Sequence, residues 1–320
     1  MGERSGALGD GSDRSSTARR SPPTERVVQV LDHLVARPGV RFGLSELARE
    51  LGLSKPTCLG ILTALADAGY LVRDPVDKAY GLGPALIVAG RAAQRGSAYG
   101  PVVHRHLVPL AERFEMMCSA SAVVGDRIVV LDVVGGDGAP SVAQVGEVYP
   151  FAPPVGLMYV LWDTDERIEQ WLRREPTLPV AVDREGLGRI VAECRRSGFL
   201  VESLTPGGRR LYALMAGVVS HDLAPELREM LAELVSSPGE RVLLPDAFRA
   251  GEPRAVNLVA APAYGPDGHQ ALVLALHVER QLDAAEVERC ATALVAAAEA
   301  ITAELGGRHP LRRPDTRTGR

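Results

Sequence analysis

The residues that could do chemistry by type and spacing form two sets, and the enzymatic set fails on inspection. Ser220-His221-Asp222 carries the letters of a hydrolytic triad, but consecutive side chains diverge and a working triad is assembled from separated positions. A helix start is the simpler role for these three. His104 and His106 lie two apart on a helical stretch and face different sides, which does not suit a shared metal ion. Cys58, Cys118, Cys194 and Cys290 are scattered without Cys-x-x-Cys spacing, so each reads as a small core residue rather than a zinc ligand or half of a disulfide. Gly81-x-Gly83 lacks the third glycine of a dinucleotide loop, and Gly135-Gly136-Asp137-Gly138 has no Lys-Ser/Thr after it. The expectation is no enzyme, no cofactor and no metal.

The second set suits nucleic acid. Lys55, Thr57, Leu59, Gly60 and Thr63 fall on the outward side of a helix whose other side is apolar, and Arg73 and Lys78 follow closely. Lys55 and the threonines can hydrogen-bond to base edges, Leu59 can meet a thymine methyl, and Gly60 lets the backbone approach. With no arginine to read guanine, phosphate contacts from Arg73 and Lys78 gain weight.

The elements that must position these residues are legible. Leu44, Leu47, Ala48 and Leu51 recur at i, i+3, i+4 and i+7, and Gly52 ends that helix where a left-handed residue is cheap. Ser54 caps the next helix and Pro56 sits in its first turn, while Cys58, Ile61, Leu62 and Leu65 carry its core side up to Gly69. Two helices joined so tightly must cross steeply. Tyr70–Arg73 and Lys78–Leu82 flank the turn Asp74-Pro75-Val76-Asp77, which predicts a hairpin. Thr24 can cap a further helix with Val27, Val28, Leu31, Leu34 and Val35 as its stripe. The result is a winged helix-turn-helix over 24–83, after a polar tail at 1–23 that reads as disordered.

Composition fits two domains: 320 residues, 46% hydrophobic, with a formal net charge of −4. From Arg26 to Arg95 nine basic residues face six acidic ones, so DNA binding must depend on placement and on doubling through a dimer. The start of the chain lacks a signal-peptide core and no apolar stretch nears the ~20 residues of a membrane span, which predicts a cytoplasmic protein without membrane contact.

The run from Ser45 to Leu86, SELARELGLSKPTCLGILTALADAGYLVRDPVDKAYGLGPAL, resembles the DNA-binding domain of IclR-type bacterial transcriptional regulators, whose wing closes on Tyr-x-Leu-Gly. A fainter resemblance covers most of the chain. Gly156 stands at the family's Gly-Lys-Ala helix start, Gly198-Phe199 at its Gly-Tyr, and Ala260-Ala261-Pro262 with Asp267-Gly268 at its late strand and turn. The chain departs in three places: Pro56 and Gly60 replace serine and arginine on the recognition helix, Leu157 replaces the lysine, and residues 203–254 form a longer segment. The resemblance implies a linker helix over 84–96 that helps pair subunits, and a GAF-like effector-binding, dimerising domain over 97–306. It places the ligand between the strands near Leu258 and His277 and the turn holding Pro154 and Gly156.

The second half is read as α+β from its own pattern. A helix from about Pro101 precedes a hairpin, Ala120–Val124 and Arg127–Val133, across Gly125-Asp126. Pro154–Trp162, Ile168–Leu172 and Leu187–Ser197 read as helical, and Val256–Ala263 and Gln270–Val278 as strands. A final helix is capped by Asp283 with Glu286 three on. Within 203–254 two helical repeats, Leu211 to Val218 and Leu227 to Leu234, suggest a helical hairpin that packs on the domain or covers its pocket. A basic tail at 307–320 reads as disordered. Leu258, Ala260 and Ala275 would give the pocket an apolar wall and His277 an orienting hydrogen bond, predicting a mainly hydrophobic or aromatic effector. The expectation is a ligand-responsive repressor that binds a palindromic site on double-stranded DNA as a homodimer or tetramer. The alternative is a GAF-like small-molecule-binding protein that has lost specific DNA recognition.

Overall fold

The computed structural model describes residues 21–37, 39–96, 99–135, 143–180, 182–205, 207–208, 229, 241–248 and 251–309. The chain divides into two units between Leu86 and Ile87. In the first, α1 (Pro22–Val35), α2 (Leu44–Glu50) and α3 (Lys55–Asp67) precede the antiparallel hairpin of β1 (Leu71–Arg73) and β2 (Tyr80–Leu82). Their core is Val30, Leu34, Phe42, Leu47, Ala48, Cys58, Leu62, Leu71 and Tyr80. Gly52 and Gly69 adopt left-handed φ values of +64° and +74°, which end α2 and α3 as the sequence predicts.

Helix α1 corrects the expected start and stripe. It begins at Pro22, with both prolines in the first turn, where a missing N–H costs nothing and φ is already helical. Its core side is Val30 and Leu34 with Leu31 partly buried, whereas Val28 and Val35 are each 50% exposed. Val28 and Val35 lie on the flank of the helix, away from the side that Val30 and Leu34 turn to the core.

The second unit is built on a six-stranded antiparallel sheet in the order β5-β4-β3-β8-β7-β6. The strands are β3 (Met117–Val124), β4 (Arg127–Val134), β5 (Val148–Pro150), β6 (Leu200–Glu202), β7 (Arg254–Tyr264) and β8 (Gln270–Leu282). Alternation along each strand sends Cys118, Ala120, Val259, Ala261, Leu274 and Leu276 to one face, where α5 (Gly100–Phe114) and α8 (Ala284–Glu304) pack. Asp283 and Glu286 form the expected capping box of α8. Ala260, Val273 and Leu200 point to the opposite face, where α6 (Asp165–Leu172) and α7 (Arg184–Ser197) bury Trp171, Ile190 and Cys194. Helix α4 (Ala85–Gly96) runs across the division between the units.

Pro154–Trp162 is not the expected helix. It holds a single 3-10 turn, Leu157–Tyr159, behind Gly156 at φ +99°. The left-handed Gly156 breaks the phase of a helix there, so apolar content alone misled. The edge strands β5 and β6, three residues each, were not anticipated. The two predicted repeats of the 203–254 segment and Ser220-His221-Asp222 lie outside the described residues.

Candidate nucleic-acid interface and effector-binding site

Helix α3 is capped by Ser54, whose Oγ accepts the Thr57 N–H at 3.3 Å and lies 2.8 Å from Thr57 Oγ1. Thr57 is therefore half-buried in its own helix cap and not freely presented, although it was expected to face outward. Cys58 and Leu62 are fully buried, which fixes the roll of the helix. Lys55, Pro56, Gly60, Thr63 and Ala64 are exposed, as is Leu59 at 43%. No charged side chain occurs between Lys55 and Asp67.

The wing handles its own acids. Asp74 Oδ1 accepts the N–H groups of Val76 at 2.8 Å and Asp77 at 3.4 Å, and Asp77 Oδ1 accepts that of Ala79 at 2.8 Å. Arg41 pairs with the other Asp74 oxygen. The Val76 amide foremost, with the other partners, holds the Asp74 carboxyl below its usual range. Both carboxylates are thereby turned into the loop, and Val76, 88% exposed, protrudes. Lys78 is exposed at φ +60° with Nζ 2.5 Å from the Pro75 carbonyl, and Arg73 stands 5.6 Å over the Tyr80 ring. Lys55, Leu59, Gly60 and Thr63 thus share the outer face of α3, while Arg73 and Lys78 belong to the hairpin. Sequence reasoning missed Arg41, whose pairing with Asp74 connects residues 33 positions apart.

In the second unit, Leu258 is the register partner of His277 and Ala260 that of Ala275, so four of the six expected effector residues share one sheet face. Ser119 lies opposite Ala275 in the neighbouring strand, and its Oγ is 2.8 Å from His277 Nε2. Burial drops the His277 pKa to about 4, so the ring is neutral at pH 7. In the same face Glu202 is the partner of Leu258, and its carboxylate lies 3.2 Å from Arg241 Nε. Burial pushes the Glu202 pKa up, and Arg241 opposes that shift. Arg241 Nη2 donates to the Pro154 carbonyl at 2.9 Å, joining the proline turn to the pair. Gly156 is buried, and a Cβ there would stand 2.7 Å from Phe151 Cδ2. Ser121 Oγ lies 2.5 Å from Tyr159 Oη.

Ser119, Ser121, Tyr159, Glu202 and Arg241 were not foreseen. The signal for two of them was present: Ser119 and Ser121 alternate in an otherwise apolar buried strand. A cleft of about 750 Å³ opens near the β3–β4 and β7–β8 turns, with Arg167, Gln170, Arg174 and Tyr159 in its lining, and none of the six expected effector residues borders it. His104 meets Asp132 at 2.9 Å and His106 meets Glu304 at 2.8 Å, two different partners. Among the described residues no three metal-ligating side chains are grouped.

Comparison with known proteins agrees with this geometry. Residues 23–75 match the family model of the IclR helix-turn-helix domain. The chain is 37% identical over 75 residues to the glycerol operon regulatory protein of Streptomyces griseus, a match covering 23% of this chain and 29% of that protein. It is 23% identical over 185 residues to the HTH-type transcriptional regulator XynR of Escherichia coli strain K12, covering 56% of this chain and 73% of XynR. The structure of an IclR transcriptional regulator from Alicyclobacillus acidocaldarius superposes with a TM-score of 0.64 at 22% identity, over 90% of this chain and 100% of that one. An IclR homologue from Microbacterium hydrocarbonoxydans, complexed with 4-hydroxybenzoate, superposes with a TM-score of 0.57 at 21% identity, over 88% and 98% of the two chains. Residues 23–75 are thus an IclR-type helix-turn-helix domain, and the chain shares the fold of these solved structures.

Proposed function

We propose that this protein represses transcription by holding a palindromic operator as a homodimer, and that a mainly hydrophobic or aromatic metabolite changes its affinity for DNA. The observation that carries the reading is the outer face of α3, exposed from Lys55 to Thr63 beside a hairpin that bears Arg73 and Lys78. In this reading Lys55, Leu59, Gly60 and Thr63 enter the major groove and Arg73 and Lys78 meet phosphates. One such domain makes few base contacts, and a two-fold pair on half-sites a helical turn apart multiplies them. The expected boundaries remain part of the proposal: a DNA-binding domain at 24–83, a linker at 84–96 that brings subunits together, and an effector domain at 97–306. With no helix among the described residues long and apolar enough to cross a membrane, a cytoplasmic site of action is consistent.

The effector site in this proposal is the sheet face of Leu258, Ala260, Ala275 and His277, closed by Pro154 and Gly156. A neutral His277 donates or accepts one hydrogen bond, and Glu202 with Arg241 supplies a charged end to a face on which Leu258, Ala260 and Ala275 alternate across strands with Ser119 and Ser121. The 4-hydroxybenzoate complex of the Microbacterium homologue supports an aromatic acid as the first ligand to try. The test combines fluorescence anisotropy on duplex DNA from upstream of the protein's own gene with thermal shift against 4-hydroxybenzoate and pyruvate. Sequence-selective binding weakened by the aromatic acid is the expected result. Ligand-induced stabilisation without selective DNA binding favours the small-molecule-binding alternative, and a response to pyruvate alone contradicts the ligand class.

A further inference from the structure

We propose that α3 recognises its operator mainly through the C5-methyl groups of thymines, with Gly60 as the point where the helix backbone lies against the base edges. The inference rests on the DNA-binding reading above and assigns the chemistry of its sequence preference. Two independent observations carry it.

The first is what the outer face of α3 holds. With Cys58 and Leu62 buried, the helical repeat centres the exposed side on Gly60, flanked by Pro56, Leu59, Thr63 and Ala64. Thr57 Oγ1 is engaged with Ser54 in the helix cap. Between Lys55 and Asp67 the face therefore offers one free hydroxyl, on Thr63, and otherwise carbon: the Pro56 ring, the Leu59 methyls, the Thr63 methyl and Ala64 Cβ. Guanine and adenine are read by bidentate polar side chains that this face lacks, whereas thymine alone presents an apolar group in the major groove.

The second is that the fold has no use for Gly60. Its backbone is ordinary helix, and a Cβ built there meets nothing within 4 Å, so no packing or turn requires a glycine. Glycine inside a helix destabilises relative to alanine. A costly residue at the centre of an exposed, otherwise small-residue face is accounted for by a surface that comes closer than a methyl group allows. Gly83 behaves oppositely: its Cβ would stand 2.3 Å from the Gly69 carbonyl oxygen, so there the fold itself dictates glycine.

The experiment selects binding sites for the full-length protein from a random duplex library. The recovered site is then resynthesised with deoxyuridine for thymidine, which removes only the C5-methyl. Loss of about fourfold in affinity per contacted methyl is expected, the value of burying one such group. Leu59→Ala should bind the two forms with a smaller difference, and this coupling separates direct contact from altered DNA shape. Gly60→Ala should raise the Tm and weaken binding to the selected site at least tenfold. Equal affinity for the thymine and uracil forms of a specifically bound site overturns the inference and leaves the DNA-binding reading standing. A Leu59→Ala variant that keeps the full difference, or a Gly60→Ala variant that binds as well as the parent, overturns it in the same way. Recovery of no preferred sequence defeats both.

Discussion

His277 illustrates how burial sets chemistry at a single residue. Its pKa of about 4 in the folded chain lies below the ~6.5 of an unfolded histidine, so the two states bind protons equally above pH 6.5. As pH falls from 6.5 toward 4 the unfolded state takes up the proton first, and stability is lost through that window by roughly 3 kcal/mol. Chemical denaturation at pH 7 and pH 4.5 should show this loss in the parent and much less of it in His277→Gln; equal losses would contradict a neutral buried ring. Glu202 carries the opposite sign. Its raised pKa means the folded state resists ionisation, so its contribution falls as pH rises above the unfolded value near 4.3. Glu202→Gln mimics the protonated acid, so the fall in stability between pH 4 and pH 7 that Glu202 contributes should disappear from urea unfolding in this variant; an unchanged pH dependence would contradict a buried, ionisation-resisting carboxyl. Leu258, Ala260, Ala275 and His277 could be grouped from the sequence because strand alternation places them on one face. Arg241 could not, because it reaches that face from far along the chain and no local pattern registers such a return.

At the level of elements, periodicity and caps identified nearly every helix and long strand. Ser54, Asp283 and the left-handed Gly52, Gly69 and Gly198 mark boundaries through backbone rules that depend on nearest neighbours alone. What failed depended on tertiary context. Val28 and Val35 fit a stripe by type but lie off the side the core selects, and apolar composition between Pro154 and Trp162 could not separate helix from buried irregular chain. The three-residue strands β5 and β6 are too short to carry a period and exist through pairing with β4 and β7. The wing offers a direct check on packing. Gly83→Ala forces a Cβ to within 2.3 Å of the Gly69 carbonyl oxygen and 2.9 Å of the Leu71 backbone. It should cost the first unit at least 2 kcal/mol, read as an earlier transition in urea. Unchanged unfolding would show that Gly83 is not held tightly against the Gly69–Leu71 backbone.

For the molecule as a whole, a net charge of −4 means that affinity for DNA has to come from local placement. Asp74 and Asp77 accept the wing's own backbone N–H groups and Asp74 also pairs with Arg41, while Lys78 and Arg73 are the hairpin's two cations. Light scattering at micromolar concentration should give at least a dimer, and a monomer binding one-to-one to a non-palindromic site would contradict the assembly proposed. The central claim, that α3 and the wing are the DNA-binding surface, is tested most directly by the salt dependence of operator affinity. Each phosphate contact contributes about 0.9 to the slope of log affinity against log salt. Lys78→Ala should therefore weaken binding to every sequence and flatten the slope by about one unit per subunit. Adding Lys55→Ala should weaken operator binding further. A double variant with the affinity and the slope of the parent would show that the protein meets DNA through some other surface.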